Sequence, residues 1–161
     1  MWSDKVIRQF ATVPPNPSEN DFLGQCNKLL STLFPADSDF VVVPQFIPPD
    51  SPNAVDFLVL FEVMLVNKPV LILALRPPSH QDILSKRWEA DYQVRMRMVD
   101  TVGQSPSDSN RLCPIDTLYG ISALGTKLCF YTLDTKNANA DIVPAAIARH
   151  PTRLNHVAPV D

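Results

Sequence analysis

Glycine is scarce in this chain: there are four in 161 residues, none of them clustered. That removes the Gly-rich loops that cradle phosphates, and the sequence also lacks HExxH, GxSxG and EF-hand patterns. The three cysteines, Cys26, Cys113 and Cys129, are far apart and form no CxxC pair, so a zinc site of the ribbon or finger type is not expected. An odd cysteine count and the lack of an apolar N-terminal stretch predict a reduced, intracellular protein without a signal peptide, in the cytoplasm or the nucleus. No apolar run is long enough to span a bilayer, so no membrane partner is expected. Positive charge is not in excess either. Fourteen Lys and Arg against 17 Asp and Glu give a formal charge of −3, which weighs against tight nucleic-acid binding unless basic residues gather locally. The sole Asn-x-Ser/Thr sequence, Asn16-Pro17-Ser18, is blocked by its proline.

Proline, in contrast, is abundant. There are 16, about twice the usual share of about 5 %. They collect between apolar segments, at Pro14-Pro15-Pro17, Pro44 to Pro52 and Pro77-Pro78, and so act as punctuation. Between two such clusters lies the most apolar part of the chain, Asp56 to Val63 and Val70 to Arg76, with a break at Asn67-Lys68-Pro69. Two β-branched-rich runs joined by a short polar break predict a hairpin. Both runs are apolar at almost every position, which predicts a sheet centre covered on both faces. A period of two puts Asp56, Leu58, Leu60 and Glu62 on one face of the first strand, and Val70, Ile72, Ala74 and Arg76 on one face of the second. Asp56 and Arg76 are then expected on the same side, at one end of the hairpin.

The other segments order themselves around this hairpin. Residues 1–17 predict a short helix or strand around Val6, Ile7 and Phe10. Ser18, with Asp21 three residues on, approximates a capping box for a helix bearing Phe22, Leu23, Cys26, Leu29, Leu30 and Leu33. A strand is expected over Asp39 to Phe46. After the hairpin, Ser79 with Asp82 predicts the start of a long helix reaching about Val102. Its buried side is expected to hold Ile83, Leu84, Trp88, Ala90, Val94, Met98 and Val102. Its polar side reads Asp82, Lys86, Glu89, Gln93, Arg97 and Asp100, which suits a solvated face with i,i+4 pairs. Leu118 to Leu124 and Lys127 to Leu133, linked by Gly125-Thr126, predict a second hairpin. A short helix over Ile142 to Arg149 and a surface tail close the chain. The expectation is one domain over 1–161, with its core at 18–134 and a tail from 135 to 161. Helix, three strands, helix and two strands make an α/β sandwich with a mixed central sheet of about five strands flanked by helices.

The aspartate that opens one core strand (Asp56), and a second strand ending Ala74-Leu75-Arg76-Pro77-Pro78, resemble the motif of the PD-(D/E)xK nuclease superfamily, in particular its small fungal members. The Tyr119-Gly120-Ile121 and Leu128-Cys129-Phe130-Tyr131-Thr132-Leu133-Asp134 segments resemble the same proteins, and the resemblance covers roughly residues 18–134. It implies a restriction-endonuclease-like sandwich and metal-dependent cleavage of DNA or RNA phosphodiesters, with Mg²⁺ or Mn²⁺ as cofactor. It further implies a catalytic set of Asp56, Arg76 and Gln93, with Asp56 and Glu19 as metal ligands. Two departures stand out. Ala74 occupies the second acid's position and supplies no ligand, and Arg76 stands for the lysine. An arginine binds phosphate well but stays protonated and cannot serve as a base.

Each of these residues also has a plainer reading. Glu19 and Asp21 suit the first turn of a helix through its dipole. Gln93 falls within a polar stripe. Asp56 and Arg76 can pair as a salt bridge at the hairpin's end, a contact that often adds little net stability. Glu62 shares the face of Asp56 but lies six residues along, about 20 Å by strand rise, and is too far to share an ion. His150 and His156 belong to a polar tail. Three functions therefore stay open: a divergent metal-dependent nuclease; a noncatalytic domain that binds nucleic acid or phosphate through Arg76, Arg87, Arg95 and Arg97; or a nuclease scaffold reused for protein contact, possibly as a homodimer.

Overall fold

The computed structural model of the chain describes residues 3–47, 58–103, 114–137 and 139–147. Asp56, Cys113, His150 and His156 lie outside the described residues. The architecture is an α/β sandwich around one mixed sheet. After helix α1 (Asp4–Phe10), a 3₁₀ turn (Glu19–Phe22) leads into α2 (Leu23–Leu33). Strands β1 (Phe40–Ile47), β2 (Leu58–Leu65) and β3 (Lys68–Arg76) follow, then helix α3 (Leu84–Val102) and strands β4 (Thr117–Leu124) and β5 (Lys127–Asp134). The strands lie in chain order, β1-β2-β3-β4-β5. All neighbours are antiparallel except β3 and β4, which run parallel and are joined through α3. Among the described residues no helix is long and apolar enough to cross a membrane.

The apolar hairpin does form the centre. β3 has β2 on one side and β4 on the other, and Ile72 to Arg76 are all buried. Its two faces serve two cores. Phe61, Val63, Leu73 and Leu75 pack against Phe22, Cys26 and Leu30, which recur every four residues along the 3₁₀ turn and α2. On the other face Leu60, Ile72, Ala74, Leu118, Tyr131 and Leu133 pack against Val94 and Met98 of α3. Ser18 donates from its backbone N–H (2.8 Å) and its hydroxyl (2.9 Å) to Asp21 Oδ2, so Asp21 closes the expected box at this turn. Leu33, expected on the buried side of α2, is 55 % exposed; the helix has already run past the edge of its core.

Three local expectations need correction. The hairpin turns at Val66-Asn67, both with positive φ (51° and 60°), and Pro69 falls inside β3 instead of in the turn. The ladder shifts register between Val63 and Met64, leaving Val70 as an extra residue. This bulge accommodates a proline without an N–H to donate, and it sends Val70 into the α2-side core, not onto the face of Ile72 and Ala74. Secondly, Ser79 does not cap the long helix. Pro78–His80 forms a 3₁₀ turn in which His80 and Gln81 donate back to Pro77 and Pro78, and α3 starts at Leu84 behind Ile83. Thirdly, residues 142–147 are not helical. Val143 exchanges both backbone hydrogen bonds with Thr132 (2.8 and 3.0 Å), and Pro144, which cannot continue a helix, follows directly.

Gly120 is where α3 rests on the sheet. A β-carbon there would lie 2.6 Å from Met98 Sδ and 3.1 Å from Val94 Cγ1. Gly120→Ala is therefore expected to lower stability by about 1–3 kcal/mol through overpacking, read from the urea midpoint. Val66, β-branched and 78 % exposed, gains nothing from its left-handed backbone. Val66→Asn should stabilise by roughly 1 kcal/mol, since asparagine tolerates that conformation at lower cost, and the same denaturation series measures it.

Candidate functional site

Two residues of the set that the resemblance implies, Arg76 and Gln93, meet under α3 at the C-terminal end of β3. Strand alternation turns Ala74 and Arg76 to the α3 face, and both are nearly inaccessible, at 3 % and 4 % exposure. Arg76 Nη2 donates to Gln93 Oε1 from α3. Ala74 lies among Leu60, Ile72, Val94 and Met98, so the position where the resemblance expects a second acid is filled by apolar core. Its neighbour across the parallel ladder is Ser122, whose hydroxyl is buried without a hydrogen-bond partner among the described residues. Structure thus joins Arg76 and Gln93. Glu19 rides on the 3₁₀ turn in the layer of α2, on the other side of the sheet, half-buried, and its side chain makes no hydrogen bond or ion pair with a described residue. Asp56 falls outside the described residues.

Gln93 and Arg97 are not part of a solvated stripe. With about 100° between successive residues, they flank the buried row Ala90, Val94, Met98 on one side, while Asp91 and Arg95 flank it on the other. Arg97 reaches Glu62 on β2, at 2.8 Å from Nε and 2.5 Å from Nη2 to Oε1. Gln45 of β1 donates to the second oxygen, Oε2, at 2.9 Å. Glu62 is 2 % exposed, so this carboxylate is enclosed and occupied by donors from two elements. Arg95 binds Asp91 Oδ2 (2.9 Å) and the carbonyls of Ile142 (3.2 Å) and Pro144 (2.5 Å), with its guanidinium 5.2 Å over the Tyr131 ring. Asp91 Oδ2 also accepts from the Ile147 N–H (3.2 Å). Burial, with smaller contributions from Cys129 and Asp91, holds the Tyr131 hydroxyl above its ordinary pKa.

Sequence reading missed both clusters. The available signal was a glutamate in an otherwise apolar β2, with an arginine at each margin of the apolar row of α3. Burial pushes the Cys26 thiol up to about 11, so it stays protonated near neutral pH and is no nucleophile. Among the described residues, the donors do not make a set for a divalent ion. Arg76 brings positive charge, Ala74 brings no oxygen, the Gln93 oxygen is taken by Arg76, and among the described residues no three His, Cys, Asp or Glu gather. Comparisons with known proteins found no matching family model, no matching curated protein and no matching solved structure.

The Glu62–Arg97 pair has a measurable signature. Arg97→Met strands a buried carboxylate and should cost about 3 kcal/mol, toward the low end for buried pairs because Arg97 is 31 % exposed. Glu62→Leu combined with Arg97→Met should recover most of that loss, and a double-mutant cycle in urea checks both values.

Proposed function

We propose that this chain is a noncatalytic interaction domain, built on a sandwich of nuclease type and working through protein contact. The observation that carries it is the state of Ala74 and Arg76, both buried, one in apolar core and the other bonded to Gln93 under α3. Cleavage needs ligand oxygens and an open approach for a phosphate at that spot. Binding of nucleic acid loses support as well. Of the four arginines that could meet phosphates, Arg95 and Arg97 are tied to Asp91 and Glu62, and Arg76 is bonded to Gln93. Contact with protein is supported by the large apolar side chains left at the surface of β4 and β5, Tyr119, Leu128 and Phe130.

One observation favours a second reading, a divergent Mg²⁺- or Mn²⁺-dependent nuclease acting on DNA or RNA. Gln93 does meet Arg76, and the resemblance expects a glutamine on this helix to face the site. Incubation of plasmid DNA and of RNA with Mg²⁺ or Mn²⁺ separates the two. The interaction-domain reading expects no cleavage above the Asp56→Ala control and no retention of nucleic acid at physiological salt. Divalent-dependent cleavage that Asp56→Ala abolishes would overturn it.

A further inference from the structure

The two edges of the sheet are built differently. β1 carries Pro44 in mid-strand, opposite Phe61, and so offers an interrupted row of donors to any incoming strand. β5, Lys-Leu-Cys-Phe-Tyr-Thr-Leu-Asp, contains no proline and keeps its charges at its two ends. Thr132 of β5 exchanges both of its outer backbone bonds with Val143. Alternation along an antiparallel strand then directs the backbone N–H and C=O of Leu128 and Phe130 to the same outer side. Neither has a hydrogen-bond partner among the described residues. Their side chains are 45 % and 63 % exposed, beside Tyr119 (47 %) and the half-buried Ile121 on β4, on the face turned away from α3.

We propose that the partner for this edge is a second copy of the chain, with β5 pairing antiparallel to the partner's β5 about a two-fold axis at Cys129. This names the partner in the interaction-domain reading above and rests on it. The register follows from the groups that are open. An axis at Phe130 would need Thr132, which Val143 already occupies, and an axis at Leu128 would need Thr126, which lies in the turn. Only an axis at Cys129 sets Leu128 opposite the partner's Phe130, and Phe130 opposite the partner's Leu128, so both open residues are used in both copies. Such an interface is isologous. Phe130 then packs across the strands on the partner's Leu128. On the opposite face the two Cys129 side chains meet at a non-hydrogen-bonded position, where Cα atoms stand about 4.5 Å apart, within reach of a disulfide. The apolar side-chain surface available is on the order of 300–400 Å² per copy, counting aromatics at roughly 150–250 Å² when whole. A lasting dimer buries about 800 Å² per partner, so the association is expected to be reversible, with a Kd in the micromolar range or weaker.

Sedimentation of the full chain over a micromolar-to-millimolar series, together with copper-phenanthroline oxidation, tests this. The expected result is a mass that rises from monomer toward dimer. A covalent dimer should form in wild type, Cys26→Ser and Cys113→Ser, and be lost in Cys129→Ser. Phe130→Lys, and independently Leu128→Lys, should weaken association at least tenfold with an unchanged circular-dichroism spectrum, since both positions are exposed. A monomer at every concentration overturns the proposal, and so does a dimer that both lysine variants leave intact or a cross-link that survives Cys129→Ser. A monomer that cleaves no nucleic acid removes the second copy alone and leaves the interaction reading to another partner. Metal-dependent cleavage removes that reading whatever the mass.

Discussion

A carboxylate enclosed in apolar strand cannot be left alone, and much of this fold follows from how Glu62 is neutralised. Removing a charge from water costs several kcal/mol even after the protein relaxes. Arg97 must therefore come down from α3 and Gln45 in from β1, which fixes the height and rotation of the helix over the sheet. That rotation places Val94 and Met98 on Gly120 and Ile72, and brings Gln93 onto Arg76. On the opposite flank, Arg95 and Asp91 hold the extended segment 142–147 against β5. One helix thus carries two polar clamps, and the apolar row between them supplies the net burial. Buried ion pairs rarely add much stability; these set orientation.

The parallel pairing of β3 and β4 has a second consequence. A parallel neighbour needs a crossover, and α3 is that crossover. It covers the face of β3, β4 and β5 that carries Ile72, Ala74, Leu118, Tyr131 and Leu133, while α2 fills the other core with Phe61, Val63, Leu73 and Leu75. Tyr119 and Phe130, on the side of β4 and β5 away from α3, are left in solvent. The asymmetry of the two helical layers, not a failure of packing, creates the apolar surface on which a protein partner is proposed.

Much of the sandwich was legible because it is written in alternation and punctuation. Both hairpins, the central place of β3, the capping box at Ser18 and the Gly125-Thr126 turn follow from strand period and turn residues. What was not legible depends on distance in sequence. The stripe Lys86, Glu89, Gln93, Arg97 looks solvated in one dimension, because long side chains at the margin of an apolar row can reach inward only if another element offers a partner. Glu62 is that partner for Arg97, 35 residues away. Arg95 likewise draws in the backbone of residues 142 and 144, overriding the local pattern that suggested a helix. The start of α3 was misplaced for a local reason, since Pro77 and Pro78 set a 3₁₀ turn where Ser79 promised a cap.

The candidate site shows the same tension between motif and surroundings. A fully enclosed serine hydroxyl, without a partner among the described residues, is an expense that a well-matched core avoids. Ser122 pairs in register with Ala74, the position where the resemblance expects a carboxylate. An acid at 74 would have given that hydroxyl an acceptor, and a lysine at 76 would have needed that acid's charge close by. With alanine there, β3 offers no side-chain oxygen at this position, and Arg76 donates to Gln93 on the helix.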